Sequence, residues 1–423
     1  MRTFGLTAAG LFSTAAVILA SFGDSLAPPP DHPAIEYFNY LKRPLRDPVS
    51  LLERKLDQGS VWLRFENRAG YLRSLLAALD VPLESQLAVF SKTSLQLERI
   101  SPENPRTIFF NDSVAVAWVR GGFIEIASVD PEQGVIFYML EQQPAAKPQF
   151  IRRDDCQRCH SSEATLGVPG MVVRSRFTAP TGMPLLVLGG YNTDHRSPLE
   201  QRWGGWYVTG STPMRHMGNF LVTDEDQPES ALSSGVPIQS LEKKFDTGGY
   251  LSPYSDLAAL MVFNHQMHMI NLLTRFGWEV RAAEHDKPGS LDTVLRNGAR
   301  ELVDYLLFIE EAPLRGKMQS SSGFPEKFAA RGPSDSSGRS LRQLDLQTRL
   351  LRYPCSYMIY SPQFDGLPAR ARAAVYRRLW EVLSGKEHAP AYSRLSADDR
   401  RAILEILKQT KSSFADYSQS LEH

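Results

Sequence analysis

The chain has 423 residues, enough for one large domain or two, and its apolar fraction of 42% supports a real core. Lys+Arg and Asp+Glu are both 47, so there is no excess positive field to release counterions, which argues against nucleic acid as the main partner. Three cysteines are too few for a disulfide scaffold.

Residues 1–27 read as a secretory signal peptide. Arg2 supplies a positive start, residues 4–23 are uncharged, and Ser25-Leu26-Ala27 sets small residues at a cleavage site. Pro28-Pro29-Pro30 then stops any helix. The alternative is an uncleaved anchor, because the uncharged run approaches spanning length. The expected location is periplasmic or secreted, with membrane contact only if this segment is retained.

Residues 28–86 form an entry segment whose apolar spacing turns helical between Val49 and Leu79. Residues 87–250 are β-rich. Thr107–Phe110, Val114–Val119, Phe123–Ala127 and Val135–Leu140 alternate with turn signals at Asn111-Asp112, Gly121-Gly122 and Asp130–Gly134, which predicts an antiparallel sheet. Further strands are expected at Met171–Phe177, Leu185–Leu188 and Trp203–Val208. Residues 251–423 read as mainly helical, with segments at Leu257–Arg275, Leu291–Ile309 and Ala369–Leu383, and a last helix capped by Ser396. Residues 316–340, rich in Ser, Gly and Pro, read as a long loop. The fold class is therefore α+β.

Inside the β-rich region lies Cys156-Gln157-Arg158-Cys159-His160, a C-x-x-C-H motif that reads as a c-type haem attachment site. Each thiol can add to one vinyl group, and His160 is then held under the iron as proximal ligand. The cofactor expected is one covalent haem c. A redox Cys pair, a zinc half-site and chance are the competing readings. Zinc would want a second ligand pair at matching spacing, and a thioredoxin-like site a βαβ context. Export and the motif support one another, since c-type haem is attached outside the cytoplasm in bacteria. Cys355, in an apolar stretch, reads as a buried thiol.

The ligand opposite His160 decides what such an iron does. His216 and His195, each in a loop after a strand, are the first candidates, then His265, then the methionines, including Met171. A hydrogen-bonded structural histidine is the competing reading for each. Arg174, Arg176, Arg196 and Arg202 are candidates to pair with the haem propionates. Trp203, Trp206 and Tyr207 are candidates to pack the ring, against ordinary sheet packing.

The motif resembles the haem site of c-type cytochromes. More of the chain is similar to a set of largely uncharacterised, secreted bacterial cytochrome-c-like proteins. Cys159-His160-Ser161-Ser162, Asp194–Pro198, Arg202–Gly210, His216–Asn219 and Arg352–Tyr357 carry that resemblance. It implies Cys156 and Cys159 as attachment points and His160 as axial ligand. Di-haem peroxidases usually show two such motifs, and this chain has one. The expectation is an exported mono-haem protein that transfers electrons to a redox partner protein, with Arg370, Arg372, Arg377 and Arg378 as a candidate docking face. The alternatives are a peroxidase- or oxidase-like haem enzyme with an open distal site, and a haem-based sensor or binding module.

Overall fold

The computed structural model describes Tyr40, residues 42–223, Leu232, residues 237–286 and residues 288–422. The expected signal peptide lies outside them. Among the described residues no helix is long and apolar enough to cross a membrane.

The architecture is α+β: an antiparallel sheet in the N-terminal half and a mainly helical C-terminal half. Seven strands form the main sheet: β1 (Leu87–Val89), β2 (Arg106–Phe110), β3 (Val114–Trp118), β4 (Ile124–Asp130), β5 (Gly134–Leu140), β6 (Phe150–Arg152) and β9 (Trp206–Tyr207). Their order is β6-β5-β4-β3-β2-β1-β9. A separate hairpin pairs β7 (Val173–Arg176) with β8 (Gly190–Thr193). The main strands follow the periodicity read from the sequence because turn chemistry punctuates them: the Asp130 carboxylate, for example, accepts the backbone N–H groups of Glu132 and Gln133 between β4 and β5.

All five residues of β3 are buried, which requires both faces of the sheet to be covered. On one face Val116, Ile126, Ile136 and Tyr138 pack with Leu52 of α1 (Pro48–Asp57) and Leu72 and Leu75 of α2 (Leu72–Ala78). On the other, Ile108, Phe110, Val135 and Phe137 meet the long α4 (Leu257–Asp286) and the helices beyond it. The motif forms a single turn, α3 (Gln157–His160), directly after β6. The C-terminal layer is completed by α5 (Leu291–Leu306), α6 (Phe324–Ala330), α7 (Pro362–Asp365), α8 (Ala369–Leu383), α9 (Ala397–Thr410) and α10 (Ser412–Glu422).

Three expectations need correction. Residues 58–71 leave the helix, so the stretch from Val49 to Leu79 is two short helices rather than one. Residues 316–340 are not one loop. Pro325 sits in the first turn of α6, and Phe324 and Phe328, four apart on one face, are buried. The serines before it are held by Asp256, which caps α4 with one carboxylate oxygen and with the other accepts the N–H groups of Ser321 and Ser322 and the Ser320 hydroxyl. Leu185–Leu188 is no strand. Leu186–Leu188 is a 3-10 turn, and the strand starts only at Gly190, with Gly189 and Gly190 both at positive φ.

Candidate functional site

His160 is partly buried against the ring of Phe137, with ring centroids 4.7 Å apart. Its Nδ1 lies 2.9 Å from the carbonyl oxygen of Gly170. A carbonyl only accepts, so Nδ1 carries the proton and the lone pair is on Nε2. Burial pushes the His160 pKa down to about 4, partly offset by that hydrogen bond, so the ring is neutral at ordinary pH. Nε2 has no hydrogen bond among the described residues. This is the arrangement that metal-bound histidines use: one nitrogen fixed by a backbone acceptor, the other free to ligate.

The acceptor is itself held. The Gly170 N–H donates back to the His160 carbonyl at 2.8 Å. Asn271 on α4 then grips the next residue from both sides: its Oδ1 accepts the Met171 N–H at 3.0 Å and its amide donates to the Met171 carbonyl at 2.7 Å. This close approach explains the glycine, because a Cβ at position 170 would lie 2.1 Å from Asn271 Oδ1. A second tether runs from the motif turn inward. Gln157 is 2% exposed and donates at 2.7 Å to the Tyr40 hydroxyl, which donates at 2.6 Å to the Val135 carbonyl. Ser161 donates to Gln157 Oε1. Thus one of the two variable motif residues faces the core and sets the orientation of the turn.

Cys156 is partly buried, Cys159 is exposed and Cys355 is fully buried, all three as free thiols. Burial, with Asp155 nearby, pushes the Cys156 thiol up to about 12, so it is protonated. Arg153 and Asp155 form a two-pronged pair at 2.9 and 2.7 Å on the approach to the turn.

The other candidates lie elsewhere. His195 and His265 share a hydrogen bond of 2.7 Å between their Nδ1 atoms, within rings from Tyr305 and Phe308. His265 Nε2 is 2.7 Å from the Ser356 hydroxyl, and His195 Nε2 is buried without a hydrogen bond. His265 sits six residues before Asn271, about 9 Å along α4 and on a different face. His216 lines a small cavity with Leu257, at the start of α4, which is fourteen residues or about 21 Å of helix from Asn271. Among the described residues neither His195 nor His265 makes a hydrogen bond or ring contact with His160. Met171 is buried in the core.

Of the arginines, Arg196 pairs with Asp194 at 2.6 Å, and buried Arg202 is committed to the carbonyls of Ser197 and His195. Arg174 and Arg176 pair with no carboxylate among the described residues. The indoles of Trp203 and Trp206 donate to Asn264 and to the Arg174 carbonyl, and Tyr207 donates to the Pro102 carbonyl, so all three serve the core. On α8, Arg378 pairs with Glu387, Arg372 donates to the Asp365 carbonyl and Arg377 donates to Tyr417, so three of the four arginines of the basic face are engaged internally.

Asn271 escaped sequence reasoning, because nothing local links it to a motif more than a hundred residues earlier. Tyr40 escaped it for the same reason, and the role of Gln157, inside the motif, rests on that distant tyrosine. Gly170 carried a visible signal, a glycine ten residues past His160 where the backbone can approach closely. Compared with protein-family models, curated proteins and solved structures, the chain matches none.

Proposed function

We propose that the protein is an exported mono-haem c-type cytochrome-like protein that binds haem covalently and transfers electrons to a redox partner protein. The observation that carries this reading is the His160 ring: neutral, proton fixed on Nδ1 by the Gly170 carbonyl, Nε2 free, with two reduced cysteines on the same turn. The donor set fits the cofactor. Each S–H adds across one vinyl C=C, carbon taking the proton and sulfur the new bond, with nothing released. Once bound, the group supplies one-electron chemistry. The chain's own task is positional: Asn271 and Gly170 orient the ligand ring from the α4 side, and Gln157 anchors the turn from the sheet side. The uncharged segment at residues 4–23 supports export.

The mutual Nδ1 hydrogen bond of His195 and His265 favours a second reading, in which the face opposite His160 is open to a small ligand, as in a peroxidase- or oxidase-like enzyme or a sensor. One experiment tests both. Absorption spectra of the haem-loaded protein are recorded oxidised and reduced, with and without carbon monoxide. A low-spin spectrum indifferent to carbon monoxide supports electron transfer, and a high-spin spectrum with rapid carbon monoxide binding supports the open site. Haem that is extracted intact by acidified acetone contradicts covalent attachment and sinks the main reading.

A further inference from the structure

The porphyrin of a c-type haem is amphipathic. Its vinyl groups lie at one edge, its two carboxylates at the other, and an apolar plane separates them. A site that binds its vinyl edge through α3 therefore needs cationic donors from a different element. Arg158, lying between the two thiols, is at the vinyl edge. Most nearby cations are already engaged: Arg106 with Glu125, Arg152 with Asp154 and Arg153 with Asp155.

The strand β7 leaves the His160 acceptor directly. Arg174 is four residues beyond Gly170, at most about 14 Å of extended chain. Along β7 the burial alternates, so Val173 and Ser175 point into the core while Arg174 and Arg176 share the opposite face. The Arg174 side chain makes no hydrogen bond or ion pair among the described residues. Arg176 lies flat across the hairpin because Gly190 opposite it has no side chain: a Cβ there would sit 2.7 Å from Arg176 Cδ. Its guanidinium donates to the carbonyls of Ser175 and Tyr191 at 3.0 and 2.8 Å and to Asn192 Oδ1 at 3.4 Å, which fixes the group while leaving Nε–H without an acceptor. Two adjacent cations without a carboxylate suit a ligand with two carboxylates, and each brings fork geometry suited to one. The turn of the same hairpin exposes Leu186 at 75% and Val187 at 83%, side chains ordinarily buried.

We propose that Arg174 and Arg176 hold the two carboxylates of the porphyrin whose vinyl groups Cys156 and Cys159 take, and that the β7–β8 hairpin is the second wall of the site. This rests on the haem reading above. The hairpin then matches the ligand's own division, charge at the strand and apolar surface at the turn.

The test uses the full, haem-free chain and two probes: iron mesoporphyrin IX, which has ethyl groups in place of vinyls so that no thioether forms, and its dimethyl ester, in which both carboxylates are capped. Affinities are read by absorption titration. The unaltered chain is expected to bind the free acid about tenfold or more tighter than the ester, as charge-assisted pairs give. In the R174Q/R176Q chain the two probes should bind alike. R174K/R176K should restore part of the preference, and R196Q, at an arginine already paired with Asp194, should retain all of it. If the R174Q/R176Q chain keeps the full preference, or the unaltered chain shows none, the assignment of these arginines is wrong while haem binding stands. If neither probe binds the unaltered chain, the haem reading falls as well.

Discussion

Two histidine sites in this protein look alike by burial and differ in what holds Nδ1 and in what surrounds the ring. His160 and the His195–His265 pair are all held below the usual imidazole range by burial. His160 spends one nitrogen on a carbonyl and keeps the other free beside an exposed cysteine. His195 and His265 spend their Nδ1 atoms on each other, and aromatic rings close around them. A depressed pKa alone therefore does not mark a ligand. What sets His160 apart is a proton pinned on Nδ1 by a backbone carbonyl, with two cysteines on the same turn; His195 Nε2 also lacks a hydrogen bond but lies outside the cysteine motif.

The comparison can be broken most directly by deletion. His160→Ala should abolish the histidine-ligated iron spectrum of haem-loaded protein, whereas His195→Ala or His265→Ala should leave that spectrum unchanged. A changed spectrum in the second pair would place one of them on the iron. Next in size is Gly170→Ala. Its Cβ would collide with Asn271 and displace the His160 acceptor, so a loss of about 3 kcal/mol in denaturant unfolding is expected. Asn271→Leu should reproduce part of that loss.

How much of this was legible in the sequence depends on the range of the interaction. β2 to β5 emerge where period-two patterning meets turn residues, and α8 matches its amphipathic stretch from Ala369 to Leu383. The motif is equally local, being five consecutive residues. Leu185–Leu188 misled because its apolar run resembles a strand, while Gly189 and Gly190 turn the backbone out of it. The order His216, His195, His265 among candidate ligands rested on loop position alone. Only the path of α4 shows that Leu257, beside His216, and Asn271, beside Gly170, stand far apart along one helix. Tertiary partners such as Asn271 and Tyr40 leave no local trace.

Smaller effects sharpen the same contrast. His265→Leu removes one half of a buried hydrogen bond and should cost about 2 kcal/mol of stability, read by denaturant unfolding, with no change in haem content. The pair should also make the fold acid-sensitive. His265 sits at about 3 in the folded protein against about 6.5 unfolded, so the unfolded state binds more protons below pH 6.5. Its contribution is full above that pH and is lost as pH falls toward 3, by up to about 1.4 kcal/mol per pH unit. The slope of stability between pH 6 and 4 should therefore be shallower in His265→Leu, and an unaltered slope would contradict the burial argument. Least of all, Arg196→Ala, which breaks a partly exposed pair with Asp194, should change stability by under about 1 kcal/mol.

The central claim is covalent haem on Cys156 and Cys159, and a mass spectrum of the denatured protein, produced in cells able to mature c-type haem, tests it most directly. The account predicts a single added haem mass that survives denaturation, maps to the peptide containing Cys156 and Cys159, and disappears in the C156A/C159A chain. A mature chain with no added mass, or one that keeps the addition after both cysteines are replaced, would contradict it.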